Sequence, residues 1–274
     1  MKIGVFGANG FVGRSLCLRF LKESNIVYAF YNKQFSLIPD GCVRVSMASD
    51  FELILDCIII AIGGQGLTYE EYRAQYLVVE KIVNKYHYKK IVFISSVEVY
   101  GRPNGRISFN SPFVDPNVYG HSKICQEFIV KSLQDFIIIR PTYLYGNGMN
   151  ENSIIPIWIN KVKKKMNLEV YGDGSREQDY LHVDDLAQLC FLAVTRYVKN
   201  CTVIAASGLS ISNYTIAESI CFNSISSRVE FTGQDNTPSS RFDISLTKEL
   251  FGWTPSCFLI DWLKEIPKNE SFDL

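Results

Sequence analysis

The stretch Gly7-Ala8-Asn9-Gly10-Phe11-Val12-Gly13 constrains this chain more than any other. An apolar run, Ile3 to Phe6, precedes it. Apolar side chains at Phe11, Leu16, Phe20 and Leu21 predict a helix from Phe11 to about Lys22. A second apolar run, Ile26 to Tyr31, predicts a strand. Strand, glycine turn, helix and strand in this order form the βαβ unit that binds a dinucleotide. Gly7 suits the tight turn, Gly10 lets backbone approach a pyrophosphate, and Gly13 lets helix and strand pack closely. The free amides and the positive end of the helix dipole then meet the anion. Gly7, Asn9, Gly10, Phe11, Val12 and Gly13 are therefore candidate cofactor-binding residues.

The second strand ends at Tyr31-Asn32-Lys33, where an NAD site usually places an acidic residue on the ribose 2′-hydroxyl. No Asp or Glu stands there. Lys33, and Arg14 just past the last glycine, are candidates for the 2′-phosphate of NADP, so NADP is preferred slightly over NAD. Cys42 to Met47 predicts a third strand. The nearly all-apolar run Cys57 to Ile62 predicts a central parallel strand covered on both faces. Its carboxyl end runs into Gly63-Gly64-Gln65-Gly66, so Ile62 and Gly63 should border the cofactor. Thr68-x-x-Glu71 has the capping-box pattern and opens a helix with Tyr72, Tyr76, Val79 and Val83 along one face. That stripe is expected to pack in the core or at a dimer interface.

Ile91 to Ile94 is the next buried strand and ends at Ser95-Ser96. Tyr119 and Lys123 follow, four apart at the start of a helix, so their side chains share one face. An unperturbed phenol, with a pKa of about 10, is a poor base at neutral pH. An ammonium one turn away and a cationic nicotinamide ring would both favour the phenolate. Tyr119 can then take a proton from a hydroxyl, or give one to a carbonyl, as hydride moves. Lys123 can hold the nicotinamide ribose, and Ser96 can hydrogen-bond the same substrate oxygen. These three are the candidate catalytic residues.

Charge narrows the partners. Lys and Arg total 28, Asp and Glu 28, so nothing supports nucleic acid or an anionic membrane as the main partner. The longest apolar runs are strand length, so no transmembrane helix is expected. The chain opens directly into a strand, and the expected location is cytoplasmic. Its eight cysteines are scattered without a Cys-x-x-Cys pair and its three histidines stand away from them, so reduced thiols and no metal are expected. After Thr142 the pattern changes, with more Gly, Asn and Pro. The expected division is a dinucleotide-binding part, residues 1–142, rejoined by about 180–206, and a substrate part, residues 143–179 and 207–274. The fold class expected is α/β, a Rossmann-type doubly wound parallel sheet with a smaller, partly interleaved C-terminal substrate domain.

The motifs as a set resemble a known family. Gly7-x-x-Gly10-x-x-Gly13, Ser95-Ser96-Val97-Glu98-Val99-Tyr100-Gly101, Tyr119-x-x-x-Lys123 and Arg140-Pro141-Thr142 occur in the order seen in extended short-chain dehydrogenases/reductases. More narrowly, the chain resembles the NAD-dependent epimerase/dehydratase family acting on nucleotide sugars. Tyr171-Gly172-Asp173-Gly174, Tyr180-Leu181-His182-Val183-Asp184-Asp185 and Leu250-Phe251-Gly252-Trp253 extend that likeness over nearly the full length. The resemblance implies Ser96, Tyr119 and Lys123 as a catalytic triad, Pro141 beside the cofactor, a nucleotide-sugar substrate and a homodimer.

The departures shape the expected reaction. Val97-Glu98 stands where dehydratases of thymidine-diphosphate sugars have Asp-Glu, which disfavours a 4,6-dehydratase. Glu98 remains a candidate substrate-binding residue. Gln178 precedes Asp179-Tyr180 where many members carry a diphosphate-binding arginine, so Arg176 and Arg241 are the candidate replacements. Ile62-Gly63-Gly64 replaces a His-Leu-Ala-like motif, and His182 is expected to pack or hydrogen-bond. The resemblance thus implies an epimerase or 4-keto reductase moving hydride at a sugar carbon, C4 first. A dehydrogenase of a non-nucleotide substrate stays open because of Gln178. A non-catalytic NAD(P)-binding sensor is disfavoured by the presence of both Tyr119 and Lys123.

Overall fold

The structure is a computed structural model and describes residues 1–32, 35–64, 68–102, 105–222, 224 and 226–265. In chain order the elements begin β1 (Lys2–Phe6), α1 (Phe11–Lys22), β2 (Ile26–Tyr31), β3 (Val43–Ser46), β4 (Leu55–Ile60), α2 (Tyr69–Lys85) and β5 (Tyr88–Ile94). A 3-10 turn, Val97–Tyr100, and β6 (Arg106–Ile107) lead to α3 (Val118–Lys131), β7 (Phe136–Pro141) and β8 (Tyr143–Tyr145). Next come α4 (Ile154–Lys163), β9 (Leu168–Tyr171), β10 (Glu177–His182), α5 (Val183–Thr195) and β11 (Cys201–Ala205). The rest is β12 (Ser210–Ser212), α6 (Asn213–Cys221), β13 (Val229–Thr232), β14 (Arg241–Phe242), α7 (Ser245–Phe251) and α8 (Leu259–Glu265).

Seven parallel strands make the central sheet in the order β3-β2-β1-β4-β5-β7-β11. The period of two along each strand divides its apolar residues between two cores. Ile3, Val5, Ile59 and Val92 face Leu16 and Phe20 of α1 and Leu186 and Leu189 of α5. Phe6, Ile58, Ile60 and Phe93 face Val79 and Ile82 of α2 and Val130 of α3. Helices cover both faces, which is why the β4 run is apolar at nearly every position. The expected α/β doubly wound sheet is therefore present, and β11 pairs with β7 over Cys201–Ala205 at its edge.

Chain order reverses between β1 and β4, so the carboxyl ends of these strands open a crevice where ligands bind in such sheets. The α2 capping box forms: Thr68 Oγ1 accepts from Glu71 N at 3.3 Å, and Glu71 Oε2 accepts from Thr68 N at 2.7 Å. On its stripe Tyr72 and Val79 are buried, whereas Tyr76 is half-buried. Two elements begin earlier than the apolar pattern indicates: β5 at Tyr88 and α5 at Val183.

A third core lies beside the sheet. Trp158 and Ile159 of α4, Leu168 and Val170 of β9, Ile216 of α6 and Leu263 of α8 meet there. Phe242, Ile244, Phe251 and Trp253, expected in the smaller part, instead pack into the main core. Asp185 pins this tail to α5 by accepting from Ser256 N and Oγ and from Cys257 N. Among the described residues no helix is long and apolar enough to cross a membrane.

Candidate active site

The site is built from the carboxyl ends of β1, β4, β5 and β7. Gly7 leaves β1 with φ +86°, and a Cβ there would lie 2.6 Å from the Ala61 carbonyl oxygen. At Gly13, inside the first turn of α1, a Cβ would lie 2.0 Å from the Gly7 oxygen. The glycines therefore permit backbone to touch backbone, as the turn requires. Gly10 differs: a Cβ there meets only the Gly7 oxygen, at 3.3 Å. The space above Gly10 is open on its other side, as a pyrophosphate would need. Gly10 caps α1 without a side-chain bond, and the first turn holds no acidic residue. The initial amides of α1 thus lack an intrahelical partner, and the helix's own first turn supplies no acid to meet them. These residues fit the phosphates of a dinucleotide.

Beside this turn lies a cleft of about 450 Å³, lined by Gly7, Asn9, Tyr31, Asn32, Ala48 and Ile62, among others. It has the place and composition for the adenosine end of the cofactor. Lys81 of α2 also lines it, a cation that strand-end reasoning overlooks because it sits in mid-helix. Phe11 packs toward the third core and Val12 toward the main one. The Arg14 guanidinium donates to the Gly148 carbonyl at 3.1 Å, so the loop after β8 engages it. Lys33 lies outside the described residues.

The loop after β4 joins this cradle to the proposed catalytic groups. Lys123 Nζ donates to the Ile62 oxygen at 2.8 Å and the Ile94 oxygen at 3.0 Å. A Cβ on Gly63 would stand 2.9 Å from Lys123 Nζ and 3.8 Å from Tyr119 Oη, so this loop lies directly against both groups. Asn117 caps α3 with its side-chain oxygen on Gly120 N at 2.8 Å. Gly120 allows that helix to press on the 3-10 turn, since a Cβ there would meet the Glu98 carbonyl oxygen at 2.3 Å. The close approach brings Tyr119 to Ser96.

Burial pushes the Tyr119 phenol up to about 12; its hydrogen bond with Ser96 opposes the rise, and Glu98 and Tyr72 add to it. Lys123 is 2% exposed, and burial pulls its ammonium down to about 7, opposed by Glu127. The Lys123 ammonium stands 6.0 Å from the centre of the Tyr119 ring. Sequence reasoning expects this charge to favour the phenolate; in the structure desolvation dominates both groups. Ser96 Oγ also accepts from Glu98 N at 3.2 Å, while the neighbouring Ser95 turns inward to Glu127.

Next to the tyrosine is a polar cluster. Glu98 accepts from Asn117 Nδ2 at 2.9 Å and from the Tyr143 hydroxyl at 3.3 Å. Burial pushes the Tyr143 phenol up to about 12, with Glu98 adding to the rise and Arg176 opposing it. Arg176 therefore reaches this cluster; it also faces Asp235 at 3.6 Å, and its Nε is buried without a partner. Arg241 does not join it. Its guanidinium pairs with Glu177, Nε at 2.8 Å and Nη2 at 2.6 Å, and lines a separate cavity with Arg106 and Ser239. Pro141 is buried at the end of β7, opposite Ala205. His182 caps α5, accepting from Asp184 N at 3.3 Å, and packs edge-on against Tyr145.

Sequence reasoning overlooked Asn117, Tyr143 and Glu127. Asn117 carries the usual N-cap signal just before a helix. Glu127, four residues past Lys123, continues the face that bears Tyr119 and Lys123. Tyr143 has no local signal; only the packing of β8 beside β10 brings it near Arg176.

Comparison with known proteins places the chain. The model of the NAD dependent epimerase/dehydratase family matches residues 63–204. A GDP-6-deoxy-D-talose 4-dehydrogenase of Aggregatibacter actinomycetemcomitans is 24% identical over 235 residues, 81% of this chain and 79% of that protein. A dTDP-4-dehydro-6-deoxyglucose reductase of Escherichia coli is 28% identical over 195 residues, 66% of this chain and 61% of the relative. Among solved structures, MoeE5 in complex with UDP-glucuronic acid and NAD superposes with a TM-score of 0.83 at 19% identity, covering 96% of this chain and 97% of the other. The UDP-glucuronic acid 4-epimerase from Bacillus cereus, in complex with UDP-glucuronic acid and NAD, has a TM-score of 0.80 at 19% identity, with 96% and 97% covered. These likenesses agree on the fold, and the motif set agrees with the family match. The chain belongs to the NAD-dependent epimerase/dehydratase family.

Proposed function

We propose that this protein moves hydride between NAD(P) and a carbon, C4 first, of a nucleotide sugar, as a 4-keto reductase or a 4-epimerase. The observation that carries the reading is the meeting of Ser96, Tyr119, Lys123 and Gly63 at the carboxyl ends of β4 and β5, one loop from the open glycine turn. A bound nicotinamide would supply the hydride donor and acceptor. Tyr119 would exchange a proton with the sugar hydroxyl or carbonyl, and Ser96 would hold the same oxygen. Lys123 would bind the ribose and place positive charge near the phenol, lowering a pKa that burial has raised.

Residues 1–142 and 180–206 would bind the cofactor, and the third core and its loops the nucleotide sugar. Arg176, which reaches the Glu98–Tyr143 cluster, is the proposed diphosphate ligand. Arg241, paired with Glu177 at the surface, is the proposed second positive charge. With Arg14 bonded to Gly148, the case for NADP rests on Lys33 and on the absence of an acidic residue after β2. The relatives' names, a GDP-sugar 4-dehydrogenase and a dTDP-sugar reductase, support nucleotide sugars as the substrate class. Glu98 is already held by Asn117 and Tyr143, and Val97 supplies no acid beside it, which argues against dehydration. Incubation with nucleotide sugars and their 4-keto forms tests the reading. Net NADPH or NADH oxidation identifies a reductase; interconversion of two sugars without net turnover identifies an epimerase. Failure of every nucleoside-diphosphate sugar to bind or react would sink it.

We also infer a homodimer through α2 and α3. Tyr69, Tyr72, Tyr76, Leu77, Val118 and Phe128 border a cleft of about 630 Å³ between these helices. Phe128 is 79% exposed and Val118 59%. Covering such a side chain contributes about 1.5–3 kcal/mol. Phe128→Glu is expected to convert a dimer into a monomer in light scattering, with its thermal transition otherwise retained. A wild-type chain that is monomeric at tens of micromolar would refute the dimer.

A further inference from the structure

Glu127 lies one helical turn beyond Lys123 on α3 and is 2% exposed. Its Oε1 accepts from Ser95 Oγ at 2.6 Å and Arg140 Nε at 2.8 Å. Its Oε2 accepts from Arg140 Nη2 at 2.7 Å and Lys131 Nζ at 3.2 Å. Ser95 adjoins Ser96 at the end of β5. Arg140 adjoins Pro141 at the end of β7, and its Nη1 donates to the Tyr100 hydroxyl at 2.8 Å and the Phe109 oxygen at 3.2 Å. One buried carboxylate thus ties two strand ends to the helix that carries Tyr119 and Lys123.

A purely structural clamp would leave the charge on Lys123 untouched. Lys123 is held by two neutral carbonyls, Ile62 and Ile94, in a desolvated place where the neutral amine is favoured. The surrounding elements offer little else. From β4 come a carbonyl and Gly63, and from α2 comes Tyr72, packed on Tyr119. On the 3-10 turn the charge of Glu98 acts on Tyr119. On β7 and α3, Arg140 and Lys131 engage Glu127. Glu127 is the carboxylate whose charge acts on Lys123.

We propose that Glu127 is a positioning residue of this site, whose buried charge keeps the Lys123 ammonium protonated while its four hydrogen bonds hold Ser95, Arg140 and α3 in register. The proposal rests on the reading of Lys123 as a working residue, but its test needs no substrate. A lysine ammonium is charged below its pKa, so removing a nearby negative charge moves the loss of that charge to lower pH. In protein carrying ¹³C-labelled lysine, assigned with Lys123→Met, the Lys123 Cε resonance is expected to titrate in the wild type near pH 7. In Glu127→Gln the midpoint should fall by about one pH unit or more. Dinucleotide affinity, followed by fluorescence, should then weaken with rising pH about one unit earlier than in the wild type.

Glu127→Gln leaves Arg140 buried without its counter-ion, which can unfold the chain by itself. The paired variant E127Q/R140M also removes the guanidinium, whose loss raises the Lys123 midpoint, so it is read against R140M, from which it differs only in the Glu127 charge. A midpoint unmoved in either folded comparison, Glu127→Gln against wild type or E127Q/R140M against R140M, would overturn the proposal. So would failure of both to fold, which would assign Glu127 to the framework alone. If the midpoint shifts as expected but no dinucleotide binds the wild type, the charge coupling stands and the cofactor reading fails.

Discussion

Tyr119→Phe is expected to lower turnover by about 10³-fold or more while changing dinucleotide affinity by no more than about threefold, since a positioned acid–base group contributes about 10²–10⁴-fold. The substitution removes one oxygen and keeps the ring, which packs on Tyr72 at 6.0 Å between centroids. Stability should change little, because the lost hydrogen bond to Ser96 offsets relief of the hydroxyl's desolvation. Lys123 keeps its bonds to Ile62 and Ile94, so the cofactor's ribose would lose nothing. Steady-state kinetics on the identified nucleotide sugar, with dinucleotide titration alongside, decide the matter. Turnover within tenfold of wild type would remove Tyr119 from the chemistry and with it the proposed activity. The result is sharp because the phenol, pushed up to about 12 by burial, does not ionise spontaneously near neutrality. In the proposed reaction it would exchange its proton with the substrate oxygen.

The second large effect concerns the glycine turn, where two neighbouring substitutions should behave differently. Gly13→Ala places a Cβ 2.0 Å from the Gly7 oxygen and 2.7 Å from the Ala8 Cα. Neither is a flexible side-chain tip, so α1 must move off β1. Forcing atoms into a packed core costs about 1–3 kcal/mol, occasionally more. A lower thermal midpoint and loss of dinucleotide binding are expected together. Gly10→Ala meets only one protein atom, at 3.3 Å, so its thermal midpoint should stay near wild type. Its methyl group projects where a pyrophosphate would approach, so affinity should still fall by about 100-fold, roughly 2.7 kcal/mol at about 1.4 kcal/mol per tenfold. Calorimetry and fluorescence titration of both variants give the comparison. Normal dinucleotide affinity in Gly10→Ala would show that the anion does not bind at this helix end.

The proposed catalytic groups and the glycine turn were legible as patterns because each depends on short-range spacing. Tyr119 and Lys123 share a helix face by their spacing alone, and the glycine turn is read from its place between an apolar strand and an amphipathic helix. The buried central strands announced themselves in the same way, by apolar residues at successive positions from Cys57 to Ile60. Electrostatics were less legible. The phenol and ammonium were expected to help each other, yet in the structure each is governed first by desolvation, which depends on how much chain packs around it.

Sequence alone thus determined the βαβ entry, the doubly covered sheet, the capping box at Thr68 and the helix face shared by Tyr119 and Lys123. Tertiary structure decided where the long side chains go. It turned Arg14 toward Gly148, paired Arg241 with Glu177, brought Arg176 to Tyr143, and returned Phe251 and Trp253 to the main core. It also joined Glu127 to Arg140 across the helix–strand boundary, 13 positions apart. The physical reason is one of range. Backbone periodicity says which residues share a face, because neighbouring residues fix it. A guanidinium at the end of a flexible stem finds its acceptor only after distant segments have packed, and no local pattern encodes that choice.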